Sequence, residues 1–152
     1  MSMPFRHEDK SELQRQLRDL ICLAVVGDHV RWVLKGDDEL GGWLAEATGK
    51  WRLWADRVAT QLVAAGIAPD GRVRSLVKDL ALNWVPDGWL SGDDARRLIA
   101  ERLALVGEWA RYRHSQAGGT DAELFDLVAS GLEAQLCARQ LSGGSLADPV
   151  RR

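Results

Sequence analysis

A chain of 152 residues, 46% hydrophobic and 28% charged, has the length and composition of one globular domain with a sizeable core. Its formal net charge of −2 and isoelectric point near 5.9 exclude polyanion binding driven by overall charge, so any contact with nucleic acid has to come from a local cluster. Two cysteines, Cys22 and Cys137, both lie within apolar helical patterns and read as buried reduced thiols of a cytosolic protein rather than as a disulfide framework.

The opening MSMPFRHEDK lacks an apolar stretch of signal length, and no run approaches the roughly 20 apolar residues of a membrane span. A soluble, cytoplasmic protein without membrane contact is expected. Residues 1–10 are polar and aperiodic and read as a flexible tail. Ser11 and Gln14 stand at the spacing of a capping box, and Leu13, Leu17, Leu20, Ile21, Ala24 and Asp28 then mark one face of a first helix. Gly36 stops it near Lys35.

Asp37 and Asp38 suit the N-terminus of a second helix, whose apolar stripe runs through Leu44, Ala47, Trp51, Trp54, Ala55, Val58, Leu62 and Ala65. Gly41, Gly42 and Gly49 each cost this helix about 1 kcal/mol against alanine, which close backbone packing at a subunit interface would explain. Gly66 ends the helix and Pro69 cannot continue it. Val73, Leu76, Val77 and Leu80 fit a short helix, followed by extended or turning chain through Trp84, Pro86 and Trp89. So long a connection is a crossover between helices that are not simple antiparallel neighbours.

A third helix starts at Ser91, with Asp93 and Asp94 in its first turn, and carries Leu98, Ile99, Leu103, Leu105, Val106, Trp109 and Ala110 to about His114. Gly118 and Gly119 break the chain. Thr120 and Glu123 form another capping-box spacing, opening a fourth helix with Leu124, Leu127, Val128, Gly131, Leu132, Gln135 and Leu136 on one face. Residues 142–152, SGGSLADPVRR, read as a flexible C-terminal tail. The domain therefore spans 11–141.

In the centre of the chain, Trp32-x-x-Lys35-Gly36, then Ala55-Asp56-x-x-Ala59, then Leu62-Val63-Ala64-x-Gly66-x-x-Pro69 resemble the Dps family, the mini-ferritins named for DNA protection in starved bacteria. The resemblance implies an all-α, ferritin-like four-helix bundle with a long crossover carrying a short extra helix, assembled into a homo-oligomeric dodecamer. The Glu-x-x-His motif of ordinary ferritins is absent, because Pro4, Val26 and Arg111 stand three residues before His7, His29 and His114.

Dps proteins build an iron-oxidising site between two subunits. One subunit supplies a histidine just before the tryptophan of the first helix and another early in the second helix; its partner supplies an aspartate and, four residues on, a glutamate. In this sequence those positions hold Arg31, Gly41, Asp56 and Thr60. Asp56 and His29 are the candidate metal residues, although His29 points to a different face from Arg31. A guanidinium stays protonated, so Arg31 sets a positive charge where the cation should sit, and an ion pair between Arg31 and Asp56 of the partner subunit is expected. Asp56 has the plainer reading of a solvated helix residue, and His29 that of a surface or core histidine. Asp28, one turn before Arg31, would pair with it along the helix.

Trp32, Trp51, Trp54 and Trp109 read as core or interface aromatics, with Trp51 and Trp54 as anchors of a dimer seam. Arg6, His7, Lys10, Arg151 and Arg152 give the tails a route to DNA through the avidity of many copies, diluted by Glu8, Asp9, Glu12 and Asp148. Two functions follow. One is a Dps-like shell protein with a structural or stress-protective role and a degenerate ferroxidase site. The other is an active iron-oxidising, iron-storing mini-ferritin that rearranges its ligands among Asp56, Asp28, His29 and Glu46. A paralogue that modifies another shell is a third.

Overall fold

Glycines in left-handed backbone, Gly36 at φ 73°, Gly66 at 79° and Gly119 at 61°, break the chain where the sequence predicts its helix boundaries. The computed structural model describes residues 3–76 and 85–143, with side chains described over 12–76 and 85–138. In chain order the elements are α1 (Met3–Val33), β1 (Leu34–Lys35), α2 (Asp38–Ala64), α3 (Val73–Leu76), β2 (Leu90–Ser91), α4 (Gly92–Gln116) and α5 (Gly119–Gly143). The four long helices form the ferritin-like bundle, and the connection carrying α3 crosses from α2 to α4. Among the described residues no helix is long and apolar enough to cross a membrane.

Caps explain two of the starts. Asp37 accepts the Leu40 N–H at 3.0 Å, and Ser91 accepts the Asp94 N–H at 3.1 Å. Neither predicted capping box marks the start of its helix, since α1 begins at Met3 and α5 at Gly119. Helix α1 begins at Met3, so residues 3–10, assigned above to a tail, have helical backbone; Pro4 falls in the first turn, where its missing N–H costs nothing. Gln14 instead holds the crossover, its amide donating to Ala68 O and accepting the Asp70 N–H, each at 3.0 Å. Thr120 accepts from Gln61 Nε2 at 3.0 Å, and Asp121 accepts from the same amide at 2.9 Å, tying α5 to α2. Val77, Leu80, Trp84 and most of the predicted C-terminal tail lie outside the described residues.

The core follows the predicted stripes, with Leu13, Leu17, Leu20 and Ala24 of α1 meeting Leu44, Ala47, Trp51, Val58 and Leu62 of α2. Trp51 is fully buried, and its indole Nε1 donates to Gln135 Oε1 of α5 at 2.7 Å. Its ring lies against Gly27 of α1, where a Cβ would stand 2.6 Å from Trp51 Cζ3 and 2.8 Å from Thr48 Oγ1. Trp54 uses Gly131 of α5 in the same way. Both indoles are therefore intrachain core groups rather than anchors of a subunit seam, because glycines on the facing helices leave ring-sized notches for them. A Cβ on Gly42 or Gly49 would meet nothing within 4 Å among the described residues, so no close backbone approach there accounts for them.

Charge is buried between α1 and α4. The Arg113 guanidinium, 4% exposed, donates to Glu12 at 3.0 Å, Gln16 at 3.1 Å and Asp19 at 2.9 Å. Replacing one member of such a network is costlier than the network is stabilising, so its weight falls on fixing how α1 and α4 register. At the bundle end, β1 pairs in parallel with β2, Leu34 opposite Leu90, while Arg96 of α4 reaches the capping Asp37 at 2.5 Å.

Gly27→Ala is expected to destabilise the fold by about 1–3 kcal/mol, since the fully buried Trp51 ring has no room to retreat. Urea unfolding measures this, and a loss below about 0.5 kcal/mol would show that the notch is not tight.

Candidate functional site

The predicted Arg31 lies on the α1–α2 surface, close to the end of α1. Asp28 and Arg31 are one turn apart and share a side of the helix, and Arg31 Nη2 donates to Asp28 Oδ1 at 3.1 Å, as the spacing predicts. The antiparallel α2 brings a second cation that the sequence did not reveal: Arg52 Nη2 donates to Asp28 Oδ2 at 2.6 Å. Each carboxylate oxygen is thus engaged by its own guanidinium. Partial burial opposes ionisation of Asp28, but the hydrogen bonds from Arg52 and Arg31 together outweigh it and hold the carboxyl below its ordinary 3.8.

The other predicted positions are dispersed. Asp56 is exposed on α2, one turn beyond Arg52. Its carbonyl accepts from Thr60 Oγ1 at 2.9 Å, so the residue where the resemblance expects glutamate turns its hydroxyl back to its own helix. Gly41 sits in the first turn of α2, with only Leu34 near its absent Cβ, at 3.8 Å. His29 lines a separate cavity of about 450 Å³ with Cys22, Val25 and Val26 of α1 and Val73, Leu76, Val85 and Asp87 of the crossover. Glu46 borders a different cleft, between α2 and α5. Among the described residues of one chain, no three of His, Cys, Asp and Glu come together to hold a metal ion.

No family model matches the chain, and no curated relative matches it. Solved structures do. A Dps protein of Deinococcus radiodurans superposes with a TM-score of 0.80 at 21% identity, covering 89% of this chain and 85% of that one. The tetragonal form of Mycobacterium smegmatis Dps gives 0.82 at 18%, covering 90% and 86%. This chain has the Dps fold. A Dps protein of Vibrio cholerae O1, described as a member of a broad superfamily of ferritin-like diiron-carboxylate proteins, gives 0.72 at 14% identity, covering 88% of this chain and 90% of that one.

On this Dps scaffold the aromatic residues divide. Trp51 and Trp54 are core, whereas Trp32 and Trp109 are 66% and 48% exposed, because α1 and α4 turn those positions outward. Cys22 is buried as predicted, but Cys137 is exposed, since the face of α5 that packs inward carries Phe125, Val128, Ala129 and Leu132 instead.

Because the folded pKa of Asp28 lies below its unfolded value, its contribution to stability is present above pH 3.8 and is lost as pH falls through the lowered value. Asp28→Asn should therefore cost on the order of 1 kcal/mol near neutral pH, a figure kept small by the exposure of both arginines. The gap between wild type and variant should close as unfolding is measured at progressively lower pH. A gap of constant size would show that the carboxylate is not coupled to the arginines.

Proposed function

We infer that this chain is a Dps-like, shell-forming protein of the ferritin superfamily that lacks an efficient ferroxidase centre and serves a structural or stress-protective role in the cytoplasm. The observation that carries the reading is the engagement of both Asp28 oxygens by Arg31 and Arg52 on the surface where the resemblance expects iron ligands. A ferrous ion needs an excess of negative or neutral donors, and this cluster holds two fixed positive charges against one carboxylate. The residues of this face do not fit a resident cation. Asp56 alone would bind iron weakly.

Assembly into a dodecamer belongs to the same proposal. Its support is the Dps fold together with large apolar side chains left exposed on α1 and α2, namely Val25 and Trp32, and Leu53 and Val63. They are largely exposed in a single chain, and burial between copies would cover them.

Anaerobic titration with ferrous iron, followed by oxygen or peroxide, is expected to show no stoichiometric binding and oxidation at the rate of buffer alone. Saturable ferrous binding with accelerated oxidation would establish the iron-storing alternative with rearranged ligands. Size-exclusion chromatography with light scattering should return a dodecamer, and a stable dimer at micromolar concentration would contradict the shell.

A further inference from the structure

Asp28 is shared between two guanidiniums, and each arginine makes one hydrogen bond to it, Arg31 at 3.1 Å and Arg52 at 2.6 Å. The guanidinium fork has several further N–H groups, so most of the donor capacity of both arginines is uncommitted among the described residues. One of these groups, Arg31 Nε, is buried and has no hydrogen-bond partner. A buried donor left open is uncommon in native proteins and marks a place where an acceptor is missing.

The chemistry of that acceptor follows from charge and shape. Two guanidiniums against one ionised carboxylate leave a net positive cluster, and planar forks of this kind match the oxygens of carboxylates and phosphates. Lys50 and Arg57 line clefts on the α5 side of α2 and do not add to this cluster, whose positive charge is that of Arg31 and Arg52, while Asp56 is exposed one turn beyond Arg52 on the same side of the helix. Trp32, one turn beyond Asp28, and Leu53, beside Arg52, are 66% and 58% exposed and supply apolar borders that weaken competition from water.

We propose that the Arg31–Asp28–Arg52 cluster on the α1–α2 surface is a receptor for an oxyanion of the carboxylate or phosphate class. The proposal rests on the reading that this face holds no cation. The oxyanion has two sources: a free anion such as inorganic phosphate, or Asp56 of a second copy of the chain.

The test is a titration of the intact protein with inorganic phosphate, free of iron, against sodium chloride at matched ionic strength. Melting temperature and calorimetry are the readouts. For a free anion, phosphate raises the melting temperature saturably, and Arg31→Gln and Arg52→Gln each weaken binding about tenfold or more while retaining the helical circular dichroism. For a second copy, wild type gives no response, whereas Asp56→Asn both weakens subunit association and uncovers saturable phosphate binding. Silence in both wild type and Asp56→Asn overturns the proposal, as does an equal response in the glutamine variants. No iron enters this assay, so its failure is distinguishable from a ferrous titration that overturns the functional reading.

Discussion

The seat of Trp51 is the constraint on which the bundle depends. One indole touches three helices: it belongs to α2, fills the notch over Gly27 of α1 and hydrogen-bonds Gln135 of α5. A large ring can be buried this fully only where its N–H finds an acceptor and the facing backbone steps aside. Gly27 and Gln135 meet those two needs from different helices, so the position of α1 relative to α5 is set through a single side chain. Trp54 on Gly131 repeats the arrangement one turn later.

Much of this architecture was readable before any coordinates. Periods of three and four marked the core faces, and the glycines at 36, 66 and 119 marked the breaks, because both signals arise from local geometry. What escaped was the use of polar side chains over long sequence distances. Glu12, Gln16 and Asp19 form a polar stripe between core leucines of α1, yet nothing local says that Arg113 will enter it. Gln14 and Thr120 had the spacing of helix caps but serve other segments: α1 already continues through Gln14, and Thr120 lies one residue inside the start of α5, where its hydroxyl accepts from Gln61. In the candidate site, the Asp28–Arg31 pair was legible as an i,i+3 contact. Arg52 was not, because it arrives from the neighbouring helix.

That arrival changes the electrostatic character of the α1–α2 surface. A carboxylate beside one arginine is a neutral pair, whereas Asp28 clasped by two carries one positive charge more than it can balance, with the exposed Asp56 one turn beyond Arg52. Asp28 thereby becomes a scaffold that holds two like charges close to each other, and its lowered pKa reflects their combined pull against partial burial. The chain keeps the shape of the Dps bundle, and on this surface a single carboxylate is shared by two guanidiniums.

The parallel pairing of β1 with β2 bears on how the molecule comes together. Within the hairpins α1–α2 and α4–α5 the polar ties are near in sequence, 24 residues apart for Asp28 with Arg52 and 15 for Arg111 with Asp126. Between the hairpins they are distant, 94 residues for Arg113 with Asp19 and 84 for Trp51 with Gln135. Loop closure costs chain entropy that grows with the length of chain enclosed, so the joint at Leu34 and Leu90 and the ties between hairpins carry a larger closure cost than those within a hairpin. Two residues of ribbon at the end of the bundle thus join segments that only closure of the crossover brings together.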